Sequence, residues 1–318
     1  MLRRSALALA IGANLLAVPL IAGPRVEVLN SLVWEPSLVA FCDHQDAATP
    51  PCTGPLKEDQ STIFGGLSGL EVDGSGTGFV AISDTGMTYT GVFDRGPDKT
   101  ISGVQLVHAR ALLFENGERP SEKKDRDTEG LAVLGAATYV SAESKPRLLR
   151  YDDGEIQPII APLPWLGEQA PSNMGFEALA IDVDGALFAL PEGSLNIRAP
   201  FDLLKRESNG EWRTVYQLPR HGGFRPVGAD FGDDGHLYVL SRAFNGFAFA
   251  SQIVRIRFQD GTPVKSEPLF SSRFGQFDNL EGLATWRSGA GELRLYAISD
   301  DNFSAAQSTI FVEFQVHE

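Results

Sequence analysis

The sequence predicts an all-β fold, a single β-propeller, and three observations carry that expectation. The composition favours short strands and turns: of 318 residues, 33 are Gly, 19 Pro and 20 Phe, with only 3 Met, a balance of turn formers and strand-favouring aromatics. One motif recurs five times along the chain. The last strand-like run lacks a partner, and the first such run can supply it. Hydrophobic residues at 43 % and charged residues at 21 % suit a globular core and argue against disorder.

Arg3 and Arg4 precede an uncharged run from Ser5 to Ala22. A basic start, an apolar stretch and small residues form the pattern of an export signal over residues 1–23. Residues 24–318 remain for the propeller, in the periplasm or outside the cell. If retained, the run would be an N-terminal anchor, although Gly12, Asn14 and Pro19 weaken it as a membrane span. Cys42 and Cys52 follow in FCDHQDAATPPC. In an oxidising compartment they read as a disulfide closing a Pro-containing loop. Metal ligation with His44 would need further sulfur or imidazole, which the neighbourhood lacks.

The five repeats then run in order. They are GGLSGLEVDGSGTGFVAISDTG from Gly65, DTEGLAVLGAATYVSAES from Asp127, NMGFEALAIDVDGALFALPEG from Asn173, RPVGADFGDDGHLYVLSRAFNG from Arg225 and DNLEGLATWRSGAGELRLYAISDDNF from Asp278. Each places a polar residue before a small apolar run, then a Gly/Asp turn, then a second apolar strand ending in a polar residue. Two strands joined by such a turn form a hairpin. Further strand-like runs follow, among them RLLRYD, EIQPII, QIVRIRF and VKSEPLF. Each unit therefore holds about four strands, the content of a propeller blade. Repeat counting gives five blades, or six if residues 35–63 or 88–114 hold a degenerate unit. The fifth unit ends with TIFVEFQV, one strand short, and VEVLNSLVW at residues 26–34 completes it. Pairing the two termini closes the ring and removes two free edges.

Loops at a propeller's channel mouth bring equivalent repeat positions together. The slot before the first inner strand holds Ser68, Glu129, Glu177, Gly228 and Glu281. The slot after the next strand holds Asp84, Glu143, Glu192, Arg242 and Asp300 with Asp301. Carboxylates crowded around one channel repel unless something compensates them. A hard cation such as Ca²⁺ takes six to eight oxygens and would do so, with Asn173, Asn279 and Asn302 completing the shell. Arginines are the other remedy, with Arg147, Arg150 and Arg242 at hand. The plain alternative is that these acids cap strands and join blades through backbone hydrogen bonds.

Stretches such as DTEGLAV, GFEALAID and DNLEGLA…LYAISDDN resemble the bacterial phytase-like propeller family, whose members are called esterase-like phytase proteins. The resemblance covers roughly residues 60–316. It implies an exported propeller and suggests hydrolysis of phosphoesters or esters, with calcium as the expected cofactor. The matching motifs carry over Glu129, Glu177, Glu281, Asp84 and Asp300 as polar-site residues. The fourth repeat departs, with Gly228 and Arg242 where the others place acids, so one side of the mouth is expected to receive an anion.

Other templates fit poorly. GLSGL at Gly66–Leu70 fails the last position of a nucleophile elbow, and GSGTG joins two strands instead of opening a helix. The run EKKDRD at residues 122–127 reads as a solvated loop. His108 reads as a strand residue, while His221, before Gly222-Gly223, can approach the mouth. Lys and Arg total 27 against 41 Asp and Glu, a formal net charge of −14. Loss of the signal would make it −16. That excludes a general nucleic-acid binder.

The expected function is thus a metal-dependent hydrolase of a small anionic ester. Glu129, Glu177, Glu281, Asp84, Glu143, Glu192 and Asp300 are the expected metal ligands. Glu177, Glu281, Arg242 and His221 are the expected catalytic groups, and Arg147, Arg242 and Asn279 the substrate-binding ones. The alternative is a non-catalytic periplasmic propeller that binds a ligand or partner, since fold does not decide function.

Overall fold

The computed structural model of the chain describes residues 23–36, 64–114, 117–143, 147–152, 159–162, 175–193 and 198–318. The expected export signal, Cys42, Cys52 and Asn173 lie outside the described residues. Twenty strands form five four-stranded antiparallel sheets. Strand β1 (Arg25–Val33) comes first in the chain but belongs to the fifth sheet. Blade one is β2 (Leu67–Val72), β3 (Gly78–Ser83), β4 (Met87–Arg95) and β5 (Ile101–Ala111). Blade two is β6 (Thr128–Leu134), β7 (Ala137–Ala142), β8 (Arg147–Asp152) and β9 (Ile159–Pro162). Blade three is β10 (Phe176–Ile181), β11 (Leu187–Pro191), β12 (Phe201–Arg206) and β13 (Trp212–Leu218). Blade four is β14 (Arg225–Phe231), β15 (Leu237–Phe244), β16 (Phe249–Gln259) and β17 (Thr262–Ser271). Blade five is β18 (Asn279–Arg287), β19 (Leu293–Asp300) and β20 (Ile310–His317), completed by β1.

This is a five-bladed propeller. Residues 88–114 form β4 and β5 of blade one, so they do not hide a sixth blade. Strand β1 pairs antiparallel with β20 from Arg25↔His317 to Val33↔Ile310. The expected closure of the ring is therefore present, within the blade where the missing strand was sought.

Turn chemistry builds the inner hairpins. Asp182 Oδ1 accepts the Asp184 and Ala186 amides at 3.1 and 2.8 Å, and Asp73 Oδ1 accepts the Ser75 amide at 2.9 Å. A side-chain carboxylate that takes amides two and four residues on fixes the turn before the second strand begins. Gly76 has φ +68° and lies beneath Trp286, where a Cβ would come within 2.1 Å of the indole. Any other residue would be both strained and obstructed there.

The blades pack through aromatic layers. At the seam of blades five and one, Phe79 and Phe93 stack with centroids 4.7 Å apart, and Phe311 meets Phe93 edge-on at 5.1 Å. Tyr89, Tyr296 and Phe314 are fully buried. Toward the axis the inner strands come so close that only small residues fit. A Cβ on Gly130 would lie 2.7 Å from Leu179 Cβ, and one on Gly228 would lie 2.3 Å from the Glu281 carbonyl oxygen.

Every inner strand carries a bulge near its start. The pairing skips Ser68, Glu177, Val227 and Glu281 in four blades, and Glu129 with Gly130 in blade two. A bulged residue leaves the ladder and its side chain is re-aimed. The fourth blade thus places Val227, and not Gly228, at the position equivalent to the glutamates. Gly228 is equivalent to Gly69, Gly130 and Gly282, the small residues that let the strands converge.

Candidate functional site

Inner strands start, and their partner strands end, on one face of the ring. The register sets Arg225 opposite Arg242 and Asn279 opposite Asp300, and the Glu143 amide bonds the Asp127 carbonyl at 2.9 Å. The two expected slots therefore form adjacent tiers around the channel mouth. Glu129, Glu177 and Glu281 are 9 %, 6 % and 6 % exposed, far drier than carboxylates usually are.

The mouth has two unlike sides. On blades two and three lie Glu129, Glu143, Glu177 and Asp127. Asp127, Glu129 and Glu143 each offer a carboxylate oxygen within 4.8 Å of the others. Burial raises the pKa of Glu129 well above the usual range, and the charges of Glu177, Glu281 and Asp127 add to the shift. Burial also raises that of Glu177, reinforced by Glu192 and Glu143. Glu143 is pushed up to about 7 by burial and then by Asp127. Among the described residues, neither the Glu129 nor the Glu177 carboxylate takes part in a hydrogen bond or salt bridge.

On the side of blades four and five, Arg242 compensates Glu281 and, from the end of β11 in blade three, Glu192. Arg242 Nη1 lies 2.8 Å from Glu281 Oε1, and its Nη2 lies 3.4 Å from Glu192 Oε1. Arg242 also donates to Asn279 Oδ1 at 2.7 Å. Asn279, fully buried, donates in turn to Glu281 Oε1 at 2.8 Å and to Asp300 Oδ2 at 3.5 Å. Burial opposes the Arg242 charge, but Glu281 and Glu192 outweigh it and keep the guanidinium protonated. Asp300 is pushed up to about 8, by burial first and then by Glu281. Arg225 adds a second guanidinium 4.0 Å from Glu192.

Between the two sides stands Lys123, which the sequence places in a solvated run. Its Nζ lies 2.8 Å from Asp84 Oδ2 and 3.0 Å from Asp127 Oδ1. Burial opposes its charge, and the bonds to Asp84 and Asp127 more than offset that. EKKDRD therefore contributes to the mouth, through a 3-10 turn at Lys123–Asp125. Arg147 supports that turn: it donates to the Asp125 carbonyl at 2.7 Å and lies 5.1 Å from the Phe114 ring centre. Arg147 is one of the residues expected to bind substrate. Arg150 pairs with Asp152 at 2.8 Å.

His221 stands on the connection from β13 to β14, on the mouth face. Its Nε2 is buried without a hydrogen-bond partner among the described residues. Asp127, Lys123 and Arg225 are the site residues that the sequence reasoning missed. The signal for Asp127 was present, two positions before Glu129 in DTEGL.

The donor set on blades two and three is all carboxylate oxygen, which suits a hard cation such as Ca²⁺. Glu129 belongs to this cluster, and Glu177 beside it is likewise nine-tenths buried and without a polar partner among the described residues, which fits such an ion.

A family model described as "Phytase-like: Esterase-like activity of phytase" matches residues 62–303. No curated protein matches the chain. Among solved structures, a luciferin-regenerating enzyme is 11 % identical, with 80 % of this chain and 93 % of that one covered at a TM-score of 0.41. A glucose dehydrogenase is 14 % identical, with 92 % and 99 % covered at 0.41. A chain of a nidogen/laminin complex is 14 % identical, with 76 % and 79 % covered at 0.41. These likenesses are too distant to carry an argument about activity.

Proposed function

We propose that this chain, which belongs to the phytase-like family, is an exported hydrolase that cleaves an ester or phosphoester at the channel mouth. The observation that carries this reading is the pair Glu129 and Glu177, buried carboxylates that lie near Asp127 and Glu143 and have no hydrogen-bond or salt-bridge partner among the described residues. Unpaired buried charge is costly, and a ligand of opposite sign removes the cost. Asp127, Glu129, Glu143 and Glu177 would hold a hard divalent cation, calcium being the expected one. Such an ion, when bound, polarises an ester or phosphoryl oxygen and lowers the pKa of a coordinated water.

The chain's own groups do the rest. Arg242, fixed by Glu281, Glu192 and Asn279, presents a guanidinium for the anionic part of a small substrate. Asp300, with a pKa near 8, carries a proton at neutrality and can pass it to the leaving oxygen. Among the described residues the mouth holds more acids than bases, which disfavours a polyphosphate. A singly charged ester or a phosphodiester suits it better.

The test combines terbium luminescence and calcium titration with a panel of chromogenic carboxyl esters, phosphomonoesters and phosphodiesters. We expect one tight cation site, with affinity lowered at least tenfold in Glu129→Gln and Glu177→Gln, and turnover lost in both. Cation binding unaffected by both substitutions would overturn the site. Tight cation binding with no turnover on any panel member would leave a binding module.

A further inference from the structure

Four phenylalanines are exposed among the described residues, and all four lie on the mouth face: Phe244, Phe247, Phe274 and Phe303, at 59 %, 97 %, 50 % and 44 %. Their loops are joined into one arc. The β15–β16 hairpin meets the β17–β18 loop where the Gly275 amide donates to the Phe249 carbonyl at 2.8 Å. That loop meets the β19–β20 loop where Asp278 accepts the Ser308 amide at 2.8 Å. The β19–β20 loop meets blade one where Asp301 Oδ1 accepts the Gly66 amide at 3.0 Å. Exposed aromatic surface gathered at one place marks a binding surface.

Both ends of the arc lie beside the site. Phe244 follows Arg242 by two residues on β15, so it stands on the same face of the strand and about 7 Å further along. Phe303 crowds Gly66 beside Asp84: a Cβ built on Gly66 would lie 2.7 Å from Phe303 Cε2 and 2.2 Å from Asp84 Oδ1. Phe303 is also held in the left-handed region, φ 50°, directly after Asn302 at φ 49°. A bulky aromatic rarely adopts that backbone, and such strain clusters where a side chain must be presented to a ligand.

We infer that Phe244 and Phe303 are the apolar walls of the ligand site, so that the anion received at Arg242 carries an acyl chain or an aromatic ring. The inference rests on the proposed ester-binding role of the mouth and assigns its substrate class: esters that carry an apolar group. A charged head lodges among Arg242 and its partners, and the apolar tail leaves water against the two rings. Continuity of the rings with the polar centre favours this occupant over a lipid bilayer, which would meet Phe247 first.

Isothermal titration with octylphosphonate and methylphosphonate tests it without requiring turnover. Octylphosphonate is expected to bind at least tenfold more tightly, a difference of about 1.4 kcal/mol. Phe303→Ala and Phe244→Ala should each shrink that preference at least threefold and leave methylphosphonate affinity unchanged. Two positions are used because Phe303→Ala also releases the strained turn. Equal affinity for the two phosphonates, binding of neither, or a preference intact in both variants would overturn the inference. So would sedimentation with phosphatidylcholine vesicles that octylphosphonate fails to compete. Octyl preference without ester turnover sinks the hydrolase alone, whereas turnover indifferent to chain length sinks the apolar walls alone.

Discussion

Glu313 on β20 and Arg95 on β4 form an ion pair of 3.2 Å across the seam between blades five and one. The Glu313 side chain is fully enclosed. Arg294 reaches the same oxygen at 2.7 Å, and Tyr296 donates to it at 3.1 Å. The other oxygen accepts the Ile101 amide at 2.8 Å. The ring is thus closed twice, by strand pairing inside blade five and by this polar knot between blades. Removing one member of a buried pair strands its partners, at a cost of about 3–5 kcal/mol. Glu313→Ala should lower stability by that amount in urea unfolding, and a loss below about 1 kcal/mol would show the knot to be incidental.

Gly228 should refuse even a methyl group. Its Cβ would meet backbone, the Glu281 carbonyl at 2.3 Å and the Leu283 amide at 3.1 Å, and neither can swing aside. Overpacking of this kind costs about 1–3 kcal/mol. Gly228→Ala should fall in that range by chemical denaturation, while Gly223→Ala, where nothing lies within 4 Å, should stay near zero.

Lys123 occupies ground that a cation would share. With its Nζ 3.0 Å from Asp127 Oδ1, its charge repels an incoming divalent ion. Lys123→Gln should therefore raise calcium affinity about three- to tenfold in competition with a chelating dye. Weaker binding would show that the lysine holds Asp127 in place for the ion.

Asp230 makes stability fall as pH rises. Burial pushes its pKa to about 6, against hydrogen bonds from Thr285 that pull it down. Glu71, whose pKa burial also raises, faces it with like charge. The folded state binds the proton more tightly than the unfolded one. The stabilisation is complete below the unfolded carboxyl pKa near 3.9 and is lost as pH climbs through about 6. Asp230→Asn keeps an oxygen for the Thr285 amide, 2.7 Å away, and cannot ionise. Between pH 4 and pH 8 the variant should gain on wild type by about 2.4 kcal/mol in denaturant titrations. Parallel curves would show that Asp230 titrates normally.

The fold was legible because repetition is written into the chain. GL-A-type inner strands and Asp-Gly turns recur at blade spacing, and the orphan TIFVEFQV asked for VEVLNSLVW. The two tiers of acids were legible for the same reason. Val227 was not, because Gly228 matches the small residues of the other repeats in sequence, and a bulge has no residue signature of its own. Lys123 and Asp127 were obscured by local context. EKKDRD is a charged run, and only the path of the β5–β6 connection brings two of its members to the mouth. The aromatic arc escaped because its four rings, one at the end of β15 and three on loops, sit outside the repeated slots.

The bulges also bear on how such a protein can change. Each places one side chain at the mouth from a position that owes nothing to the ladder. The five occupants are already Ser, Glu, Glu, Val and Glu. They are equivalent sockets on a fixed frame, so ligand preference can change by exchanges at these positions while the ladder that displays them stays as it is, although charged occupants feel one another.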